Sequence, residues 1–263
     1  MSHKSVLPQK TQADMRGLMQ VALGEEKADL AIVNAKLVNV YTAEVQEPIG
    51  VAVRGPWIAR VSADVGDTIG AATRVIDAAG RTLIPGLIDG HTHLSWICSV
   101  AAFVPYAIAS GVTTVVTETL EPYPVAGIDG VLDLLASLQD QPIRILATAP
   151  GMVSISTAAR GIAPDALESL LARQEILGLG ESYWQGVFQA PWQLLPAMRA
   201  TLAAGKKLEG HSAGARNGKL AAYAALGITS CHEPITAEEA LARLRLGMHV
   251  MAREGNVRRD LAA

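Results

Sequence analysis

Hydrophobic positions change their rhythm twice along the chain. From Thr11 to Leu23 apolar residues recur at helical spacing and Gly24 follows, which predicts a short helix with a glycine stop. From Ala28 to Ile84 the segments become short and rich in Val and Ile, as in D-L-A-I-V-N, K-L-V-N-V-Y, I-G-V-A-V-R and W-I-A-R-V. Turn residues at Gly50, Gly55-Pro56 and Gly66-Asp67 separate them, so antiparallel texture is predicted here, a small β-sandwich segment ahead of the main domain. After Leu83, apolar runs of strand length alternate with stretches of helical length. Strands are predicted at Ile84–Asp89, Val112–Glu118, Ile143–Ala149, Gly178–Tyr183, Lys207–Ser212, Ile228–His232 and Met248–Arg253, with helices between them such as Ala163–Leu177 and Ala237–Leu246. Repeated βα units predict a parallel α/β sheet that right-handed crossovers close into a (β/α)8 barrel or leave doubly wound. Seven strands are counted before the sequence stops at Ala263, inside what reads as the seventh helix. The expected division is a lead-in over 1–27, the small sheet domain over 28–83, and over 84–263 a TIM-like barrel lacking its last strand.

Composition narrows the function classes. With 263 residues, half hydrophobic and 18% charged, the chain can bury a large core. A net charge of −3, without basic residues interleaved with aromatics, argues against a nucleic-acid partner and for a small ligand. Cys98 and Cys231 are far apart and form no C-x-x-C pattern, which excludes a disulfide framework and fits a reducing cytosol. The start M-S-H-K-S-V-L-P-Q-K-T-Q has no apolar signal core, so a cytoplasmic location is expected. The uncharged stretch between His93 and Glu118 resembles a membrane span only in hydropathy. Pro105, Gly111 and the V-T-T-V-V run split it into a helix and a β-branched strand.

The candidate chemistry begins at L-I-P-G-L-I-D-G-H-T-H-L, residues Leu83 to Leu94. Alternation along a strand points His91 and His93 to one side and Thr92 to the other. In a barrel, chemistry sits at the C-terminal strand ends. The first predicted strand leads into His91 and His93, the fourth carries Glu181, the fifth leads into His211 and the sixth into His232; only His3 and His249 lie elsewhere. Four imidazoles and a carboxylate at one rim are costly to keep neutral and dry, and a divalent cation explains them economically. Nitrogen and oxygen donors without thiolate suit Zn, Mn or Fe. Two such ions ~4 Å apart repel by roughly 15–20 kcal/mol at an effective dielectric of ~20. An anionic bridge is therefore required; Glu181 is the available carboxylate, and a bridging hydroxide would be the nucleophile.

P-G-L-I-D-G-H-T-H resembles the first-strand signature of the metal-dependent amidohydrolase superfamily. Within it, K-L-E-G-H-S-A-G-A-R-N-G-K-L-A-A-Y-A-A-L-G-I-T-S-C-H-E, the following E-E-A-L-A-R-L-R-L-G-M-H-V-M-A-R-E-G and the N-terminal A-L-G-E-E-K-A-D-L-A-I-V-N-A-K-L-V-N-V-Y-T are similar to the adenine deaminase family. The resemblance implies an amidohydrolase-type barrel and hydrolysis of adenine to hypoxanthine and ammonia, commonly with manganese or iron. It implies His91 and His93 on one ion, His211 and His232 on a second, and Glu181 bridging. A purine-like small molecule would be the substrate.

The chain departs from that pattern in three places. Where the family follows its histidine pair with I-E-S-S, this chain has Leu94, Ser95, Trp96 and Ile97, and where it carries D-P-H-E, this chain has Glu118, Thr119, Leu120 and Glu121. Both segments bear on base specificity. The strand-eight aspartate, a metal ligand and proton shuttle in the superfamily, has no counterpart before Ala263. Glu233, beside His232, is the candidate for proton handling or substrate contact; its competing reading is a solvated carboxylate at a loop start. Glu118 and Glu121 read as structural, and Arg253 with Glu254 as an ordinary ion pair near the seventh strand. Two further readings stand beside deamination. One is a cyclic-amide hydrolase or deacylase of the same superfamily, many of which use a carboxylated lysine where Glu181 stands here. The other is an incomplete chain whose two unpaired sheet edges invite self-association or a completing second chain.

Overall fold

A computed structural model describes residues 9–152, 161–254 and 258–261. The chain divides into two compact units, one over residues 7–85 and the other from Gly86 onward.

The first unit opens with α1 (Gln12–Leu23). Thr11 caps it by accepting the Asp14 N–H while Asp14 reaches back to the Thr11 N–H, and Gly24 closes it at φ 77°, in the left-handed region that a side chain resists. Five strands follow: β1 (Leu30–Asn39), β2 (Glu44–Arg54), β3 (Trp57–Ser62), β4 (Arg74–Asp77) and β5 (Thr82–Leu83). They form one sheet in the order β3-β2-β1-β4, with β5 also on β1. β2 pairs antiparallel with β1 and β3, as the turn spacing predicts. β4 and β5 instead join β1 in parallel, β4 being reached through the connection of residues 63–73 that follows β3. The described strands of this unit all belong to one sheet, so the expected sandwich is a single mixed sheet. Apolar α1 residues supply the cover, with Val21 fully buried beside Ala28, Ala52 and Val65.

The second unit alternates strand and helix: β6 (Leu87–Thr92), α2 (Leu94–Ile97), α3 (Val100–Ala109), β7 (Val112–Thr117), α4 (Pro122–Ser137), β8 (Arg144–Ala149), α5 (Pro164–Leu171), β9 (Ile176–Tyr183), α6 (Trp184–Gln189), α7 (Pro191–Ala203), β10 (Lys207–His211), α8 (Asn217–Ala224), β11 (Ile228–Cys231), α9 (Ala237–Leu244) and β12 (His249–Val250). All seven strands are parallel and lie in sequence order. Their central residues, such as Val115, Ala147 and Leu179, are fully buried. That is why these runs are continuously apolar rather than alternating. No helix among the described residues is long and apolar enough to cross a membrane; Ser110 and Gly111 end α3 before β7 begins.

The sheet is curled. His91 at the end of β6 and His232 just after β11 stack with ring centroids 3.6 Å apart, whereas five strand spacings of a flat sheet would separate them by about 24 Å. Met251, after β12, also comes up against Gly90, where an added Cβ would meet its sulfur at 3.0 Å. Among the described residues no ladder joins β12 to β6.

Several boundaries move. The first barrel strand begins at Leu87 rather than Ile84, because Thr82 and Leu83 belong to the other sheet, on β1. The helix expected over Ala163–Leu177 ends at Leu171, since the edge of β8 draws the following residues into the sheet: Ala147 N–H donates to the Glu175 carbonyl at 2.9 Å. The seventh strand is only His249–Val250.

Candidate metal centre

The rim at the C-terminal strand ends gathers His91 from β6 and His93 from the residue after it, Glu181 from β9, His211 from β10 and His232 from the residue after β11. Their meeting point is one oxygen. Glu181 Oε1 lies 2.9 Å from His232 Nε2, 3.1 Å from His211 Nδ1, 3.3 Å from His91 Nε2 and 3.8 Å from His93 Nε2. The other oxygen, Oε2, accepts the Tyr183 hydroxyl at 2.9 Å. Among the described residues three trios are close enough to hold an ion: His91–His93–Glu181 and Glu181–His211–His232, which share Glu181, and His91–Glu118–Glu209 behind them.

Carboxylates stand behind the imidazoles. His93 Nδ1 meets Glu121 Oε1 at 2.5 Å. His91 Nδ1 faces Glu118 Oε1 at 3.8 Å and Glu209 Oε2 at 3.9 Å, ion-pair rather than hydrogen-bond distances. The acceptor at His93 Nδ1 places a ring proton there, and the carboxylates facing His91 Nδ1 favour the same tautomer; in that form the Nε2 lone pairs of His91 and His93 stand 3.3 Å apart, both toward Glu181. Two lone pairs converging on a carboxylate repel unless something positive lies between them, so the donor set fits a cation.

The electrostatics agree. Burial works against a charged His91, yet Glu181, Glu209 and Glu118 outweigh it and raise its pKa to about 10. His93 is likewise opposed by burial and raised to about 9 by Glu121 and Glu181. Burial also disfavours the Glu181 carboxylate, but hydrogen bonds from the four imidazoles hold it far below the ordinary range. Glu118, 1% exposed, is pushed up to about 8 chiefly by burial, with Glu181 and Glu209 adding repulsion that His91 only partly offsets. Without an ion, protons on the imidazoles must supply the positive charge that these carboxylates demand.

Glu233 is 9% exposed, so the solvated reading fails. Its Oε1 lies 3.2 Å from His232 Nε2 and 2.5 Å from an Arg253 guanidinium nitrogen. Burial raises its pKa, but His232, His211 and Arg253 together lower it. The expected Arg253–Glu254 pair is therefore corrected: adjacent extended residues point apart, and Arg253 turns inward to Glu233. Glu118 and Glu121, read as structural, both reach the histidines. Glu209 escaped the sequence reading, although its position two residues before His211 puts it on the same strand face. Tyr183 escaped it too, although it stands two residues after Glu181 on β9.

No protein-family model matches the chain. Proteins named adenine deaminase match it closely: that of Cenarchaeum symbiosum is 38% identical over 93% of the chain and 41% of the relative. That of Moorella thermoacetica is 38% identical over 94% of the chain and 42% of the relative, and adenine deaminase 3 of Rhizobium meliloti is 37% identical over the same shares. The chain thus spans about two-fifths of the length of these relatives. Among solved structures, molinate hydrolase superposes with TM-score 0.58 at 16% identity, covering 88% of this chain and 65% of that one. An amidohydrolase superposes with TM-score 0.54 at 15% identity, covering 84% and 65%. The fold is that of the amidohydrolase barrels, and over nearly all of its own length the chain is similar to proteins named adenine deaminase.

Proposed function

We propose that this site hydrolyses the exocyclic amino group of adenine, or of a related purine-like amidine, giving hypoxanthine and ammonia. The observation that carries the reading is the convergence of four imidazole nitrogens on Glu181 Oε1 within 3.8 Å, in a chain that aligns with adenine deaminases. His91, His93 and Glu181 would hold one divalent ion, and Glu181, His211 and His232 a second. Manganese and iron are the assignments carried by the family likeness, and zinc shares the same donor preference. Bound there, the ions supply Lewis acidity and bring the pKa of water down toward ~7.

The remaining steps belong to the chain. Tyr183 holds Glu181 Oε2 and so turns Oε1 toward the imidazoles. Arg253 and His232 hold Glu233 Oε1, which leaves Oε2 as its open oxygen, 3.9 Å from Arg258. Glu233 is kept ionised and therefore free of its own proton, and Oε2 is the oxygen through which it would take the proton of the attacking water and return it to the departing amine. One carbon–oxygen bond forms, one carbon–nitrogen bond breaks, and ammonia carries the proton away.

The test is turnover of adenine by protein reconstituted with Mn²⁺, read as ammonia and hypoxanthine. A panel of cyclic amides and N-acyl amino acids runs beside it. Ring opening or deacylation without ammonia from adenine would favour the neighbouring hydrolase chemistry and end the deaminase reading. Metal analysis of His91→Ala and His211→Ala checks the ligands: each variant loses metal, and unchanged content in both removes the assignment.

A further inference from the structure

The segments Leu94–Ile97 and Glu118–Glu121, where the chain departs from the family pattern, meet each other around His93. Glu121 stands at the N-cap of α4, where an acidic side chain ordinarily serves the helix end. Here it makes no capping hydrogen bond. Its carboxylate turns to His93 instead, Oε1 lying 2.5 Å from Nδ1, while Oε2 accepts the Ser95 hydroxyl at 3.1 Å. The carboxyl is largely buried, with 8% of the side chain exposed. Trp96 lies flat on the imidazole, centroids 4.6 Å apart and planes 12° from parallel, though the indole itself is 68% exposed. A flat indole fixes the tilt of the ring it covers.

Two contacts thus remove two freedoms of one side chain. Glu121 fixes the direction of Nδ1 and hence the tautomer; Trp96 fixes the plane. Only Nε2 is left, aimed toward Glu181 Oε1 at 3.8 Å. We propose that Glu121, steered by Ser95 and backed by Trp96, is the positioning residue that sets His93 for one of the two ions. On this proposal, which rests on the metal-centre reading above, the two divergent segments serve ligand geometry first. A carboxylate behind a ligating histidine raises its basicity and holds its orientation, and losing it typically weakens metal affinity 10–100-fold.

The experiment titrates metal-free wild type, Glu121→Gln, Glu121→Ala and Trp96→Phe with Co²⁺ against a competing chelator, following cobalt absorption and tryptophan emission. Wild type should take two equivalents. Glu121→Ala should weaken one equivalent by about 10–100-fold and leave the other unchanged. Glu121→Gln should fall between them, since its amide oxygen still accepts from Nδ1, and Trp96→Phe should abolish the emission change that accompanies the weakened equivalent. A residue acting only through α4 would weaken both equivalents together with thermal stability, and that result, or cobalt curves identical to wild type, overturns the proposal. Wild type that takes up no Co²⁺ overturns the metal centre itself, a different failure from one confined to the Glu121 variants.

Discussion

Glu181 shares a single oxygen among four ring nitrogens, and the charge balance around it makes the metal-free protein sensitive to alkali. The folded-state pKa values of His91 and His93, about 10 and about 9, lie above the unfolded value. Stabilisation from such groups is complete below pH ~6.5 and lost as pH rises through the folded values. Glu118, raised to about 8, acts in the same sense. The thermal midpoint of chelator-treated protein should therefore fall steadily between pH 7 and 10. With Mn²⁺ bound, the ion replaces the protons and the profile should flatten; equal slopes with and without metal would contradict this. That side chains on strands far apart in sequence would meet was legible because each apolar run delivers its polar residue at the same end of its strand. The partners behind them were not, because Glu121, Trp96 and Glu209 act through directions fixed only when neighbouring strands and loops are in place.

At the scale of elements, the site depends on how strand ends are held. Gly180 in β9 is one device: a Cβ there would come within 2.1 Å of Glu118 Oε2, so only glycine lets that carboxylate pass. Arg243 of α9 is another. Its guanidinium is 1% exposed and, among the described residues, pairs with no carboxylate. It donates instead to the Ser212 carbonyl at 2.7 Å, the Ser212 hydroxyl at 3.0 Å and the Glu239 carbonyl at 3.0 Å. It thereby ties the loop after His211 to α9. Arg243→Met should cost roughly 2–5 kcal/mol in urea unfolding, since buried carbonyls lose their donors, and should weaken Co²⁺ binding at the His211–His232 trio more than at the other. The sequence marked α9 correctly from its periodicity, whereas nothing in A-R-L-R-L told which arginine turns inward.

At the scale of the whole molecule, the two units should answer differently to metal. All five candidate ligands lie beyond Gly86, while Trp57 reports on the unit over residues 7–85. Free Mn²⁺ at a hundredfold excess over Kd should stabilise the histidine-bearing unit by about 2.7 kcal/mol. Calorimetry should show that transition rising while Trp57 emission melts at an unchanged temperature; a common shift of both would mean one cooperative structure. The alternation of strand and helix after Leu83 was legible over almost every element, because periods of two and 3.6 are local properties. Curvature is not local, and no residue pattern announced that β6 and β11 would close to stacking distance.

That closure makes His91 and His232 a caliper. Their rings touch only while every intervening strand keeps its twist, so loosening any one of them would open the jaws and free an ion held between them. Retained metal would then gauge the integrity of the entire wall, and dissociation should precede any change in helix content when the protein is warmed.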